Sequence, residues 1–312
     1  MENNSTSPPP CKRRCKFNGP AENPESSQAS AKTTELLMMM IRNVYVRAGG
    51  RFSTYQFIHT CVLDSIMAAL HLSSIKHINV EQLLKRDASL GVILSYITTE
   101  KFDEAKALWM RQLGRHPENN TLNCASRVQH HFPLFVKLVC ANVDYHQETP
   151  DTKAIYQRTL SHFRGLGDVQ ALGDEDNPTL IWVNQVRLHR SELPPVVIDD
   201  DNRIFDLLFL LLGEETHMVL CFNLMKDTWI LFDNDPNVRA LRFFNFEQEI
   251  HRYLICSAAY VNTTQVKLGV PETGTQAQLC HSSGGYTTTE EVLDNTLLQF
   301  EDLSFFSPDT EP

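Results

Sequence analysis

An α+β fold is expected from three features of this sequence. Apolar residues recur at helical spacing in the first half of the patterned region. Short apolar and β-type runs, bounded by turn or acidic residues, fill its second half. Helices gathered before strands, with no internal repeat, are the pattern of segregated layers rather than of alternating βαβ units.

The elements follow in chain order. Residues 1–35 are polar, hold Pro8-Pro9-Pro10 and many Ser, Asn and Glu, and are expected to be a disordered tail. Hydrophobic patterning starts at Leu36 and runs to Leu268, so residues 36–268 are expected to form the folded domain. Cys61 to Leu72 carries apolar residues at 62, 63, 66, 67, 69 and 70, a helical stripe. Phe102 to Leu113 repeats it with Phe102, Ala105, Leu108, Trp109 and Leu113, and Tyr156 to Phe163 suggests another short helix. Strands are expected at Thr179–Asn184, Val196–Ile198, His217–Asn223 and Thr228–Asp233, with Leu224–Asp227 as the loop of a hairpin between the last two. From Gly269 onward the chain is Gly/Thr/Ser-rich and acidic, a tail in which Glu290–Leu303 has the makings of an amphipathic helix.

Composition narrows the function classes. The 312 residues are 42% hydrophobic and 21% charged, which excludes a wholly disordered chain, a collagen and a coiled coil. The net charge is −10, but residues 269–312 hold eight acids and no Lys or Arg, so the remainder is near −2. Without a basic face, nucleic acid is not an expected partner. No apolar run reaches the roughly 18 residues of a membrane span, and the longest candidate, Leu207–Gly213, stops at Glu214. The N-terminus has no apolar signal region, so the eight cysteines are read as reduced thiols of a nuclear or cytoplasmic protein. Lys12-Arg-Arg-Cys-Lys16 is either a nuclear-import signal or a solvated run.

Common chemical signatures are missing. No phosphate-binding loop occurs, and Gly165-Leu-Gly167 lacks the third glycine of a dinucleotide fingerprint. No Cys-x-x-Cys pair supports a zinc site, and His130-His131, being adjacent, face two directions on any regular element. No metal or cofactor is expected.

One constellation remains. Gln56-Phe-Ile-His-Thr-Cys61-Val-Leu-Asp-Ser65 sets a cysteine at the start of an apolar helix. The positive helix terminus favours the thiolate over a thiol whose free pKa is about 8.5. Gln56, five residues earlier, carries an amide suited to an oxyanion. Standing alone, Cys61 reads as readily as a small core residue. Downstream, His217 opens one strand and Asp233-Asn234-Asp235 close the next. Facing residues of a hairpin have positions with a constant sum, so a turn centred on Met225 sets Asp233 opposite His217. A turn centred on Lys226 selects Asp235, and one midway selects Asn234. Any of the three would orient an imidazole as the third member of a triad. Val196-Val-Ile-Asp-Asp-Asp201 is similar to a SUMO-interacting motif, which adds a strand to a sheet edge. The other reading is an internal strand entering a turn.

Together the two segments resemble the ubiquitin-specific protease superfamily of cysteine peptidases, most closely its SUMO isopeptidases. Cys61-Val-Leu63-Asp64-Ser65 with Ala69-Leu70 is similar to the family's Cys box, and His217-Met218, Trp229 and Phe232-Asp233 to its His box. The resemblance spans roughly Phe52 to Asp235. It implies a papain-like fold, with a helical N-terminal part whose nucleophile helix packs on a C-terminal antiparallel sheet. It implies Cys61 as nucleophile, His217 as base, Asp233 as its orienting acid and Gln56 at the oxyanion. Gln56 replaces the commoner Asn, Met218 replaces an aromatic residue, and the zinc-bearing insert of many deubiquitinases is missing. The expected activity is removal of SUMO or a related ubiquitin-like modifier from lysine. The alternatives are a ubiquitin-directed deubiquitinase, an inert modifier-binding module on the same fold, and an adaptor acting through its tails.

Overall fold

The computed structural model describes residues 46–143, 158–186, 193–214, 216–225, 228–238 and 240–264. The two tails, the Lys12–Lys16 cluster and the Glu290–Leu303 segment lie outside them. The first four helices are α1 (Cys61–Lys76), α2 (Ile78–Leu84), α3 (Ala88–Thr98) and α4 (Phe102–Gln112). Ahead of α1 stand two short strands, β1 (Arg51–Phe52) and β2 (Tyr55–Ile58), and β2 pairs in parallel with β3 (Thr121–Asn123). A 3-10 helix (Val128–Leu138) then leads into the main sheet.

That sheet uses β4 (Val139–Val143), β5 (Asp168–Gly173), β6 (Pro178–Asn184), β7 (Val196–Ile198), β8 (Ile204–Glu214), β9 (His217–Met225), β10 (Thr228–Phe232), β11 (Leu241–Phe244) and β12 (Leu254–Asn262). Its order is β11-β10-β9-β8-β12-β6-β5-β4, with β7 added beside β8, and every pairing is antiparallel. Helices precede a segregated antiparallel sheet, which makes the chain α+β.

Helix α1 is nearly wholly enclosed: every residue from Val62 to Ser74 is buried. It packs on β9 and β8 on one side and touches α2, α3 and the 3-10 helix on others. Its burial takes in polar Asp64, Ser65, His71, Ser73 and Ser74 along with the apolar residues. Its neighbours begin and end on ordinary signals. The Asp87 side chain caps α3 by accepting from the Leu90 amide at 3.0 Å. Asp103 and Glu104 open α4 and Arg111 closes it, each matching the helix dipole.

The long strand β8 was legible only as an apolar run. Leu207–Leu212 are all buried because α1 covers one face of the sheet and a second core lies against the other. Leu210, Leu212, Val219, Cys221, Phe205 and Tyr260 belong to that second core. A strand buried on both faces loses the alternation that would announce it. Each such side chain contributes roughly 1.5–3 kcal/mol by leaving water. The expected helix at Tyr156–Phe163 is, within the described residues, a 3-10 turn at Leu160–Phe163.

Candidate active site

Cys61 is delivered by a strand–turn–helix junction. β2 ends at Ile58, His59 turns the chain in the left-handed region at φ +55°, and α1 begins two residues later. A non-glycine residue is uncommon there. The junction leaves Cys61 half-buried at the helix N-terminus.

His217 is brought to it by the sheet. It opens β9 opposite Glu214 of β8, whereas β9 pairs with β10 only as far as Leu220 opposite Phe232. The start of β9 therefore overhangs β10 and is stitched to α1 instead. The Met218 amide donates to the Cys61 sulfur, and Ser65 Oγ donates to the Met218 carbonyl at 3.2 Å. His217 hydrogen-bonds Cys61, and its Nε2 lies 2.7 Å from Asp233 Oδ1. The structure thus brings Cys61, His217 and Asp233 together.

Burial by itself would raise the Cys61 thiol. The bond to His217, the Met218 amide, the His217 charge and the Val62 amide outweigh it, and the thiol ionises below its ordinary value. The bond to Cys61 raises His217, burial opposes, and the bond and charge of Asp233 add to the rise, to about 9. Both shifts run toward a thiolate paired with an imidazolium.

Asn234 and Asp235 take other roles. Asp235 donates its amide to Asp233 Oδ1 at 2.9 Å and accepts from the Asn237 amide at 2.8 Å, shaping the turn. Asn234 Nδ2 reaches in the other direction, to Asp64 Oδ2 at 2.6 Å. Asp64 is fully buried on α1, 2.9 Å from the equally buried Lys106 of α4, and accepts from Thr60 Oγ1 at 2.6 Å. Desolvation raises the Asp64 carboxyl to about 6, with Lys106, Thr60 and Asn234 all opposing the rise. Sequence reasoning passed over Thr60, Lys106 and any role for Asp64 beyond the motif. A signal existed: Lys106 falls in the same helical stripe as Phe102, Trp109, Met110 and Leu113, and a lysine inside an apolar stripe calls for a buried partner.

Gln56 stands apart. It is exposed on β2, opposite Arg51 and Thr121, and lines neither of the two cavities that meet at Cys61 and His217. The larger cavity, about 590 Å³, runs between the 3-10 helix and the sheet, past Arg127, Val128, Gln185, Leu254 and Cys256. The smaller, about 300 Å³, is lined by Gly49, His59, Thr60, Asn234 and Pro236.

The remaining motifs resolve locally. His131 is buried, accepts at Nδ1 from Trp109 Nε1 at 3.0 Å and meets Ser126 Oγ at Nε2, so both ring nitrogens are engaged. Among the described residues, no three His, Cys, Asp or Glu are grouped to hold a metal. Gly167 sits where a Cβ would come within 2.3 Å of the Asn184 carbonyl, a packing reason for glycine there. At Val196–Asp201, Asp199 accepts from the Asp201 and Arg203 amides, Arg203 Nε and Thr159 Oγ1, and Asp201 pairs with Arg203. Two of the three acids thus shape a turn, while Val196 and Ile198 remain exposed.

No helix among the described residues is long and apolar enough to cross a membrane. Comparison with family models, curated proteins and solved structures finds no match.

Proposed function

We propose that this chain is a papain-like cysteine isopeptidase that releases SUMO, or a related ubiquitin-like modifier, from lysine side chains. The carrying observation is the Cys61–His217–Asp233 arrangement at a helix N-terminus, with His217 raised to about 9 and Cys61 lowered. The modifier class rests on the resemblance of the Cys and His boxes. The Lys12–Lys16 cluster favours the nucleus over the cytoplasm as the place of action.

In the proposed mechanism, His217 takes the Cys61 proton or the pair already rests as thiolate and imidazolium. The Cys61 thiolate attacks the carbonyl carbon of the modifier's C-terminal glycine, forming a C–S bond and a tetrahedral oxyanion. Backbone N–H groups at the start of α1 are assigned to that oxyanion, since Gln56 lines neither cavity at Cys61. Collapse breaks the C–N bond, and the imidazolium of His217 gives its proton to the departing lysine amine. Neutral His217 then takes a proton from water as its oxygen attacks the thioester carbon; the C–S bond breaks, the modifier leaves with a C-terminal carboxyl group, and Cys61 returns as thiolate beside the imidazolium. Asp233 holds the ring and stabilises its cation throughout. The two cavities meeting at the sulfur suit a substrate with chain on both sides of the scissile bond.

A second reading is favoured by Gln56, which lies on the exposed face of β2. In it the chain holds a modifier without cutting it. Cleavage of purified SUMO–lysine and ubiquitin–lysine isopeptide conjugates separates the two. Release by wild type and none by Cys61→Ala supports the peptidase. Binding without release by a folded sample supports the inert module.

A further inference from the structure

We infer that Asp64 is a positioning residue that clamps the nucleophile segment to the acid-bearing turn through Thr60 and Asn234, with Lys106 holding the clamp's charge. This rests on the Cys61–His217–Asp233 reading of the site. Three chain segments converge on one buried group. From the nucleophile side, Thr60 Oγ1 donates to Asp64 Oδ2 at 2.6 Å and itself accepts from the Gly49 amide at 2.9 Å. From the acid side, Asn234 Nδ2 donates to the same oxygen at 2.6 Å. From beneath, Lys106 Nζ lies 2.9 Å from Oδ1 and donates to the carbonyls of Arg47 and Gly49, the latter at 2.6 Å.

Thr60, Cys61 and Asn234, together with Gly49, which Lys106 holds through its carbonyl, all line the smaller cavity. Asn234 directly follows the residue that orients His217, and Thr60 directly precedes the nucleophile. Asp64 and Lys106 are fully buried. A core that needed only volume there is served as well or better by apolar side chains. The charge pair instead fixes a hydrogen-bond geometry between parts of the chain 170 residues apart. Slack in that link moves Asp233 away from His217, weakens the imidazolium and raises the Cys61 thiol.

The test is the pH profile of Cys61 alkylation by iodoacetamide in the full chain, read by peptide mass spectrometry, with thermal unfolding as the check on folding. It needs no substrate. Wild type is expected to show a thiolate midpoint below that of a free thiol. Asn234→Ala removes the acid-side bond and Thr60→Val the nucleophile-side bond. In each, the midpoint is expected to rise by about one pH unit, the scale set by loosening an opposite charge near an ionising group. Thr60→Ser, which keeps the hydroxyl, is expected to retain the wild-type midpoint. An ordinary midpoint in wild type defeats the proposed site itself. A lowered wild-type midpoint that folded Asn234→Ala and Thr60→Val both leave unchanged overturns the clamp alone. Loss of folding in both variants also overturns it, because the group then serves general stability rather than the geometry of the triad.

Discussion

Nε2 of His217 and Oδ1 of Asp233 stand 2.7 Å apart, although the strand register does not set these residues opposite each other. Past the irregularity at Thr228/Trp229, Phe232 faces Leu220, and continuing that count would bring Asp235 opposite His217. Asp233 is instead the diagonal neighbour, two positions back and on the same face, within reach of a long side chain. β10 ends at Phe232 and the Asp235 amide folds onto Asp233 Oδ1, which carries Asp235 away from the ring.

This pairing adds to the bond from Cys61 in setting the pH dependence of the proposed activity. His217, raised to about 9, stays protonated through neutral pH and loses its proton as pH rises through about 9. Hydrolysis of a modifier-linked fluorogenic amide should therefore fall on an alkaline limb near that value. Asp233→Ala removes the bond and charge that support the cation, so the limb should move toward the ordinary histidine value of about 6.5. The rate at pH 7.5 should drop by about 10²–10⁴-fold, the usual worth of a positioned acid–base group.

Thiol reactivity should rank the cysteines. Cys61 has a lowered thiol, whereas Cys124 is pushed up to about 12 by burial and Cys221 and Cys256 are also raised by burial. Cys140 is buried. Limiting iodoacetamide at pH 6.5 should label Cys61 ahead of these four, with mass-spectrometric peptide mapping as the readout. Preferential labelling of Cys256, which also lines the larger cavity, would contradict the electrostatics of the site.

Stability should depend on the Asp64–Lys106 pair through its balance rather than its presence. Lys106→Met leaves a carboxylate buried without its cation and should cost about 3–5 kcal/mol in urea unfolding. Asp64→Leu combined with Lys106→Met should recover much of that loss, because apolar groups of similar size often replace a buried ion pair without penalty. The recovered protein should still alkylate slowly at Cys61, since Thr60 and Asn234 have lost their shared acceptor.

Acid should destabilise the fold before the carboxylates titrate. Burial holds His71, His77 and His131 down at about 4, so between pH 6.5 and 4 the folded chain binds fewer protons than the unfolded one. Their contribution is present above pH 6.5 and is lost as pH falls toward 4. Asp64, raised to about 6, acts the opposite way, its contribution being present at low pH and lost as pH rises through 6. The three lowered histidines act against Asp64 and, at the top of the range, against the raised His217, and the balance predicts a falling melting temperature from pH 7 to pH 4.5. His71→Phe should flatten that fall, because it removes one of the three.

Two of the first four helices, four of the strands and the polar residues of the site were readable in the sequence, whereas α2, α3 and the other strands were not. Cys61–Leu72 and Phe102–Leu113 were recognisable by period, and the structure extends the first to Lys76 and ends the second at Gln112. β8 and β12 were not, because strands buried on both faces lack alternation. The choice among Asp233, Asn234 and Asp235 was undecidable by counting, since the bulge shifts the register and the partner is diagonal. The Asp64–Lys106 pair joins α1 to α4; the apolar stripe around Lys106 calls for a buried partner, but nothing local identifies that partner as Asp64.

The central claim is that Cys61 acts as a nucleophile on the C-terminus of a ubiquitin-like modifier. The most direct measurement incubates the folded chain with two electrophilic probes, one built on SUMO and one on ubiquitin, beside a Cys61→Ala control. The expected result is a covalent adduct with the SUMO probe, mapped to Cys61 and missing in the control. An adduct with the ubiquitin probe alone would keep the chemistry and move the substrate class. No adduct with either probe would contradict the account.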